Sequence, residues 1–225
     1  FELYWGVRDK RTADEYKSNL NGVKESITGM LNLFDKYEIH ATWATVGFLH
    51  AESIEELRDY YPEEKPSYDD INLSPYNYIE KQDNLHYDYH FAPKTIIKIC
   101  KYKNQEVGTH TFSHYYCLEK GQNENQFDAD ILAAVRIANN NGIATDSIVF
   151  PRNQWNDKYL PIIHKHNISS YRGNEKSWMY KAENNKSEGL YKRGFRLIDA
   201  YFNLSGSNSY SIEDICKKKP YNIPS

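Results

Sequence analysis

A chain of 225 residues with 40% hydrophobic content can bury one sizeable core, and the expectation is a single domain over 1–225. Its 28 Lys plus Arg against 31 Asp plus Glu leave a formal charge of -3, which excludes the general phosphate attraction of a nucleic-acid binder. No apolar run approaches the roughly 18 residues of a membrane span and no signal-peptide pattern opens the chain; Cys100, Cys117 and Cys216 lack disulfide-framework or zinc-site spacing, so a reducing, cytoplasmic setting is expected.

FELYWG (1–6) alternates apolar and polar residues and predicts a first strand. From Asp14, the residues Tyr16, Leu20, Val23, Ile27, Met30 and Phe34 recur at helical spacing and predict an amphipathic helix to about Tyr37. HATWATVGFL (40–49) predicts the second strand, with a short helix over 53–60. Between 62 and 93 prolines, aspartates, asparagines and tyrosines follow no period, which predicts a long loop, an irregular lid or insertion. The tyrosines of that stretch, Tyr61, Tyr68, Tyr76, Tyr78, Tyr87 and Tyr89, suit either stacking on sugar rings or packing against the mouth of the fold.

A helix is predicted over 94–102 and a strand over 105–109. A second long helix follows over 125–141, with Phe127, Ile131, Leu132, Val135 and Ile137 inward and Gly142 as its C-cap. SIVF (147–150) reads as a strand, 157–165 as a helix and 168–171 as a strand. Alternating strands and helices predict an α/β fold on a mostly parallel sheet, open or closed into a barrel, with its sites at the C-terminal ends of the strands.

One such end carries EVGTHTFSH, in which His110 and His114 stand four residues apart. On a helix these positions share a face, and two imidazoles there can converge on one zinc ion. The same spacing occurs at His86 and His90 within the predicted lid, so position is what favours His110 and His114: they follow a strand, and Gly108 allows a tight turn. Thr111 stands where a zinc protease of the HExxH type needs its glutamate, which excludes that chemistry. A catalytic zinc site takes a third protein ligand, and Glu2, Asp9 and Asp199 are the carboxylates near predicted strand ends.

The stretch His110-Thr111-Phe112-Ser113-His114 resembles the H-[ST]-x-x-H metal motif of the polysaccharide deacetylase family (NodB homology, carbohydrate esterase family 4), and FELYWG resembles the remainder of that family's first motif. The resemblance covers the chain from its first strand to about Tyr201 and implies a distorted (β/α) barrel of about seven strands, NodB-like and truncated at both ends. It implies Glu2, His110 and His114 as ligands of a divalent metal, zinc first, with Thr111 holding the histidine turn. The general base is implied just before Phe1 and the general acid beyond Ser225, because neither His164 nor His166 fits a late L-x-H motif. FPRNQW (150–155) resembles a diverged third motif, in which Arg152 orients the base and the backbone amides near Asn153 and Gln154 bind an oxyanion; Asp199 is a candidate for tuning the acid.

The activity so implied is removal of an acetyl group from an N-acetylated sugar or polysaccharide. Two rivals accompany it: a catalytically inactive, carbohydrate-binding homologue, and another zinc amidohydrolase or phosphoesterase on the same kind of fold. A solvated patch is the reading of Lys217-Lys218-Lys219.

Overall fold

The computed structural model describes residues 1–183 and 189–224. Five short parallel strands carry the fold among these residues: β1 (Ala41–Thr42), β2 (Gln105–Glu106), β3 (Ser147–Val149), β4 (Ser170–Gly173) and β5 (Tyr221–Pro224). β1 pairs with β2, and β3, β4 and β5 form a second sheet in that order. Isolated parallel bridges from Thr45 to Thr109 and from Thr109 to Ile148 join the two sheets into one array. The array is open, and the closure into about seven strands that the resemblance implies is not formed among the described residues.

Helices cover the array. α1 (Ala13–Asn21) and α2 (Val23–Lys36) divide the single helix expected from Asp14 to Tyr37, with the break at Gly22. Thr12 and Glu15 close a capping box at the start of α1. Next come α3 (Ile54–Asp59), α4 (Pro75–Glu80), α5 (Tyr87–His90), α6 (Pro93–Cys100) and α7 (Glu124–Asn140). They are followed by α8 (Leu160–Lys165), α9 (Leu190–Phe202) and α10 (Ile212–Ile215). No helix among the described residues is long and apolar enough to cross a membrane.

Three expectations are corrected. The stretch 1–6 is not a strand: only Phe1 makes ladder bonds, its ammonium donating to the Ala44 carbonyl and its own carbonyl accepting from Val46 N–H at 3.1 Å. Leu3–Gly6 then coils into a 3₁₀ turn in which neighbouring Tyr4 and Trp5 are both buried. The stretch 62–93 is less irregular than expected: it forms α4 and α5, Tyr68, Tyr76 and Tyr89 are buried, and Tyr76 meets Tyr61 and Phe48 edge-on at 4.9 and 5.5 Å, the packing alternative for its tyrosines. Leu132 is 47% exposed on the outer face of α7 rather than inward. The second strand also shortens to two residues, since Gly47–His50 turns inward as a buried 3₁₀ segment.

The core has two main parts. One gathers Trp5, Leu31, Phe48, Leu57, Ile96, Phe112 and Ile137; the other gathers Tyr115, Phe127, Ile131, Ile148, Phe150 and Ile163. α7 contributes to both, so its buried face runs behind the loop that joins Phe112 to Tyr115.

His50 and His90 are buried in this packing, and burial lowers each imidazole to about 4, with the His86 carbonyl partly opposing the shift at His90. Both are neutral when folded and take up a proton on unfolding below about 6.5. Between about 6.5 and 4 the unfolded chain therefore binds more protons, and stability falls as pH drops through that window. Urea midpoints measured from pH 7 to pH 4.5 should decline, and the double variant His50→Asn/His90→Gln should show a shallower decline than the parent.

Candidate metal centre

β2 leads through a bridge at Thr109 into the histidine loop. Thr109 N–H donates to the Ser147 carbonyl at 2.9 Å, Val149 N–H to the Thr109 carbonyl at 3.0 Å and His110 N–H to the Thr45 carbonyl at 2.8 Å. This ladder sets His110 at the C-terminal end of its strand, where parallel α/β sheets gather functional groups. Glu2 arrives on the same row, because Phe1 lies beside Thr45 through its bonds to Ala44 and Val46.

His110 to His114 is not helical. Thr111 and His114 have φ of 64° and 58°, in the left-handed region that a β-branched threonine enters only under constraint. Nine non-glycine residues have positive φ among the described residues. Glu38, Asn104, Asn167 and Asn203 follow helices, whereas Leu3, Thr111, His114, Arg152 and Asn153 surround this site. Such backbone costs about 1–3 kcal/mol per residue and persists where surrounding contacts impose it.

Those contacts are present. The Thr111 hydroxyl accepts from Tyr115 N–H at 2.7 Å, and the Thr111 and Phe112 carbonyls accept from Gly47 and Phe48 N–H at 2.9 and 3.1 Å. Asp130 of α7 accepts from Phe112 N–H at 2.8 Å, from Ser113 N–H at 3.2 Å and from the Ser113 hydroxyl. A β-carbon on Gly47 would stand 2.6 Å from the Phe112 ring and 2.8 Å from its Cα.

The loop brings both imidazoles to one carboxylate. Glu2 Oε2 lies 2.7 Å from His114 Nε2 and 3.3 Å from His110 Nε2, and the rings stand 5.1 Å apart. One ligand atom from each residue falls within 4.8 Å of the others, the only such three-residue group among the described residues. His110 Nδ1 sits 2.6 Å from the Val149 carbonyl, where it can only donate, so Nε2 is the ring nitrogen turned to Glu2. Burial lowers His114 to about 4, so its imidazole is neutral near pH 7. Burial works against ionisation of Glu2, but its bonds to the two histidines outweigh it and hold the carboxyl far below the usual range. Two imidazoles and one carboxylate are a donor set that fits a divalent ion with positions left for water or substrate.

The other expected residues lie elsewhere. Asp9 is not a ligand: its Oδ2 accepts from Arg152 at 2.6 Å, and the Arg152 guanidinium lies 4.4 Å above the Tyr116 ring. Tyr116 in turn meets His114 edge-on at 5.0 Å, so Arg152 reaches the centre through an aromatic ring. Asn153 and Gln154 N–H groups close turns onto the Phe150 and Pro151 carbonyls at 2.9 and 3.0 Å, so neither is open to an oxyanion. Asp199, in the last turn of α9, accepts from the Tyr180 and Ser205 hydroxyls. His90, the other member of the HxxxH look-alike, pairs with Tyr78 and the His86 carbonyl, each at 2.9 Å. His166 pairs with Asp128 of α7 at 2.6 Å.

Sequence reasoning missed Asp130 and Tyr116. Asp130 had a readable signal, a lone carboxylate between Phe127 and Ala134 on the inward stripe of α7. Tyr116 had none, since nothing in HYYC distinguishes one tyrosine from the other. Arg8 Nε, Asp9 Oδ1, His114 Nδ1, Tyr116 OH and Arg152 Nη1 are buried without hydrogen-bond partners around this centre. A groove of about 720 Å³, lined in part by Trp43, Asn19, Ser26 and Arg172, opens on Glu2 and His110.

No family model matches the chain, and no curated protein matches it. Solved structures to which it is similar include a de-N-acetylase from Aggregatibacter actinomycetemcomitans, 10% identical over 76% of this chain and 70% of that one, with a TM-score of 0.46. The BpsB deacetylase domain from Bordetella bronchiseptica is 16% identical over 66% and 59%, with a TM-score of 0.44. A CE4 family pseudoenzyme from Bacillus anthracis is 15% identical, with a TM-score of 0.41; the match covers 66% of this chain and 38% of that protein.

Replacing Gly47 by Ala should cost about 1–3 kcal/mol of stability, because its β-carbon has to displace Phe112 and the strained loop behind it. Denaturant titration of Gly47→Ala against the parent measures this, and an unchanged midpoint would show that Phe112 withdraws freely.

Proposed function

We propose that Glu2, His110 and His114 hold a divalent metal, zinc by the nature of the donors, and that the chain hydrolyses the amide of an N-acetylated sugar or glycan to release acetate. The observation that carries this reading is the convergence of the three side chains, two of them separated from the third by more than a hundred residues, on one point at the C-terminal end of a parallel array. The open array is read as part of a distorted (β/α) barrel, with the strained loop at its mouth.

When bound, the metal would polarise the acyl oxygen and lower the pKa of its water towards about 7. The chain's own residues prepare the site for this. Glu2 supplies negative charge, and His110 is held in one tautomer by the Val149 carbonyl. Thr111 ties the turn to Tyr115, and Arg152, clamped by Asp9, keeps a positive charge beside Tyr116. The groove is within the roughly 300–1,000 Å³ of small-ligand sites and combines Trp43 with polar Asn19 and Ser26, a mixture that suits a sugar ring and its hydroxyls.

A metal-binding homologue without turnover is the second reading. It is favoured by the occupied amides of Asn153 and Gln154 and by the lack of a further carboxylate or histidine joining the triad among the described residues. One preparation tests both. Wild type should bind one zinc per chain and release acetate from N-acetylated oligosaccharides, while His114→Ala and Glu2→Ala should lose stoichiometric zinc and at least about 100-fold in activity. Wild-type zinc content in His114→Ala would sink the ligand assignment; zinc bound without acetate release would establish the second reading.

A further inference from the structure

Asp130 is wholly buried in α7, on the face turned towards both halves of the core. Burial pushes this carboxyl up to about 7 against the pull of its hydrogen bonds, and a carboxyl that has lost its water needs partners in return. It finds them in the N–H groups of Phe112 and Ser113 and in the Ser113 hydroxyl, all three within the loop that separates the two histidines. The surrounding groups that titrate are Tyr68, Tyr76, Tyr115 and Cys117, all neutral near pH 7 because burial raises each of them. The carboxylate and the loop therefore satisfy one another.

The loop needs this more than an ordinary turn does. Thr111 at its start and His114 at its end both hold positive φ. Gly47 and Phe48 restrain it from one side through the Thr111 and Phe112 carbonyls, and Asp130 restrains it from the other through the following N–H groups. Removing either restraint lets the backbone relax towards ordinary φ, which rotates His114 away from Glu2. We propose that Asp130 is a positioning residue of the metal centre: through Phe112 and Ser113 it holds the strained loop in the shape that points His110 and His114 at Glu2. This rests on the reading of the triad as a metal site.

Asparagine at 130 keeps the size but turns an NH₂ group towards at least one of these donors, so a bond is lost and a repulsion gained. Loss of such an orienting partner weakens metal binding by roughly 10 to 100-fold. The full chain would be titrated with zinc against a chromophoric chelator, with the unfolding temperature of the metal-free protein and the exchange rates of individual backbone amides recorded in parallel. Asp130→Asn should bind zinc about 10 to 100-fold more weakly and exchange the Phe112 and Ser113 amides at least about tenfold faster. Ser113→Ala should lose less affinity, Ser113→Thr should recover most of it, and Asp130→Asn/Ser113→Ala should be no weaker than Asp130→Asn alone, because the two act through one contact.

Zinc affinity unchanged in Asp130→Asn, with only the unfolding temperature lowered, would overturn the proposal and leave Asp130 a core-stabilising residue. If Asp130→Asn fails to fold, equal zinc affinities of Ser113→Ala and Ser113→Thr would overturn it instead. Should wild type bind no divalent metal, the triad reading itself fails; the amide exchange of Phe112 and Ser113 in Asp130→Asn then still decides whether Asp130 holds the loop.

Discussion

The backbone bridge at Thr109 is the constraint on which the rest depends. Its N–H and carbonyl bond to Ser147 and Val149 on one side, while the flanking Gly108 carbonyl and His110 N–H bond to Thr45 on the other. Two small sheets thereby become one array, and Phe1 extends the same row beside Thr45. Because parallel strands present their C-terminal ends on one side, residues from the first positions and from the middle of the chain arrive at the same edge. Glu2 and His110 meet for that reason, and the geometry of the side chains follows from the register of the backbone.

Beyond the bridge the chain departs from regular structure, and the departure has a local logic. A loop with two left-handed residues is unfavourable in isolation, so it needs fixed partners for its N–H and carbonyl groups. It finds them in Gly47 and Phe48 on one flank and in a buried carboxylate on the other. Phe112 enters one half of the core and Tyr115 the other, so both hydrophobic clusters grip the turn as well. The same neighbourhood holds strained Arg152 and Asn153 and several buried polar atoms without partners. Strain and unmet hydrogen-bonding capacity concentrated in one place are the physical marks of a site rather than of a scaffold.

Much of the frame was legible in the sequence. Apolar spacing located α2 and α7, because that pattern reports burial on one face and little else is needed to form the element, and β2 and β3 fall within the strands expected over 105–109 and 147–150. FELYWG misled because alternation by hydropathy cannot show that adjacent Tyr4 and Trp5 both turn inward. The stretch 62–93 misled for the opposite reason: it lacks a period because its helices are too short to show one, yet its tyrosines pack as core. Asp9 was read as a possible ligand from its place near a strand end, but an arginine more than a hundred residues away claims it.

The sequence by itself determined that the chain is a mixed α/β protein and that two histidines follow a strand in a motif with metal-site spacing. Both depend on residues close together in the chain, where periodicity, turn chemistry and spacing act directly. The motif resemblance already pointed to Glu2, but only tertiary structure brought it to face the histidines while Asp9 and Asp199 pair elsewhere, made the histidines converge through a strained turn instead of a helix face, and set Asp130 behind the loop. Those outcomes turn on which N–H and carboxylate groups can satisfy one another once water is excluded, and that pairing is settled only when distant segments are packed together.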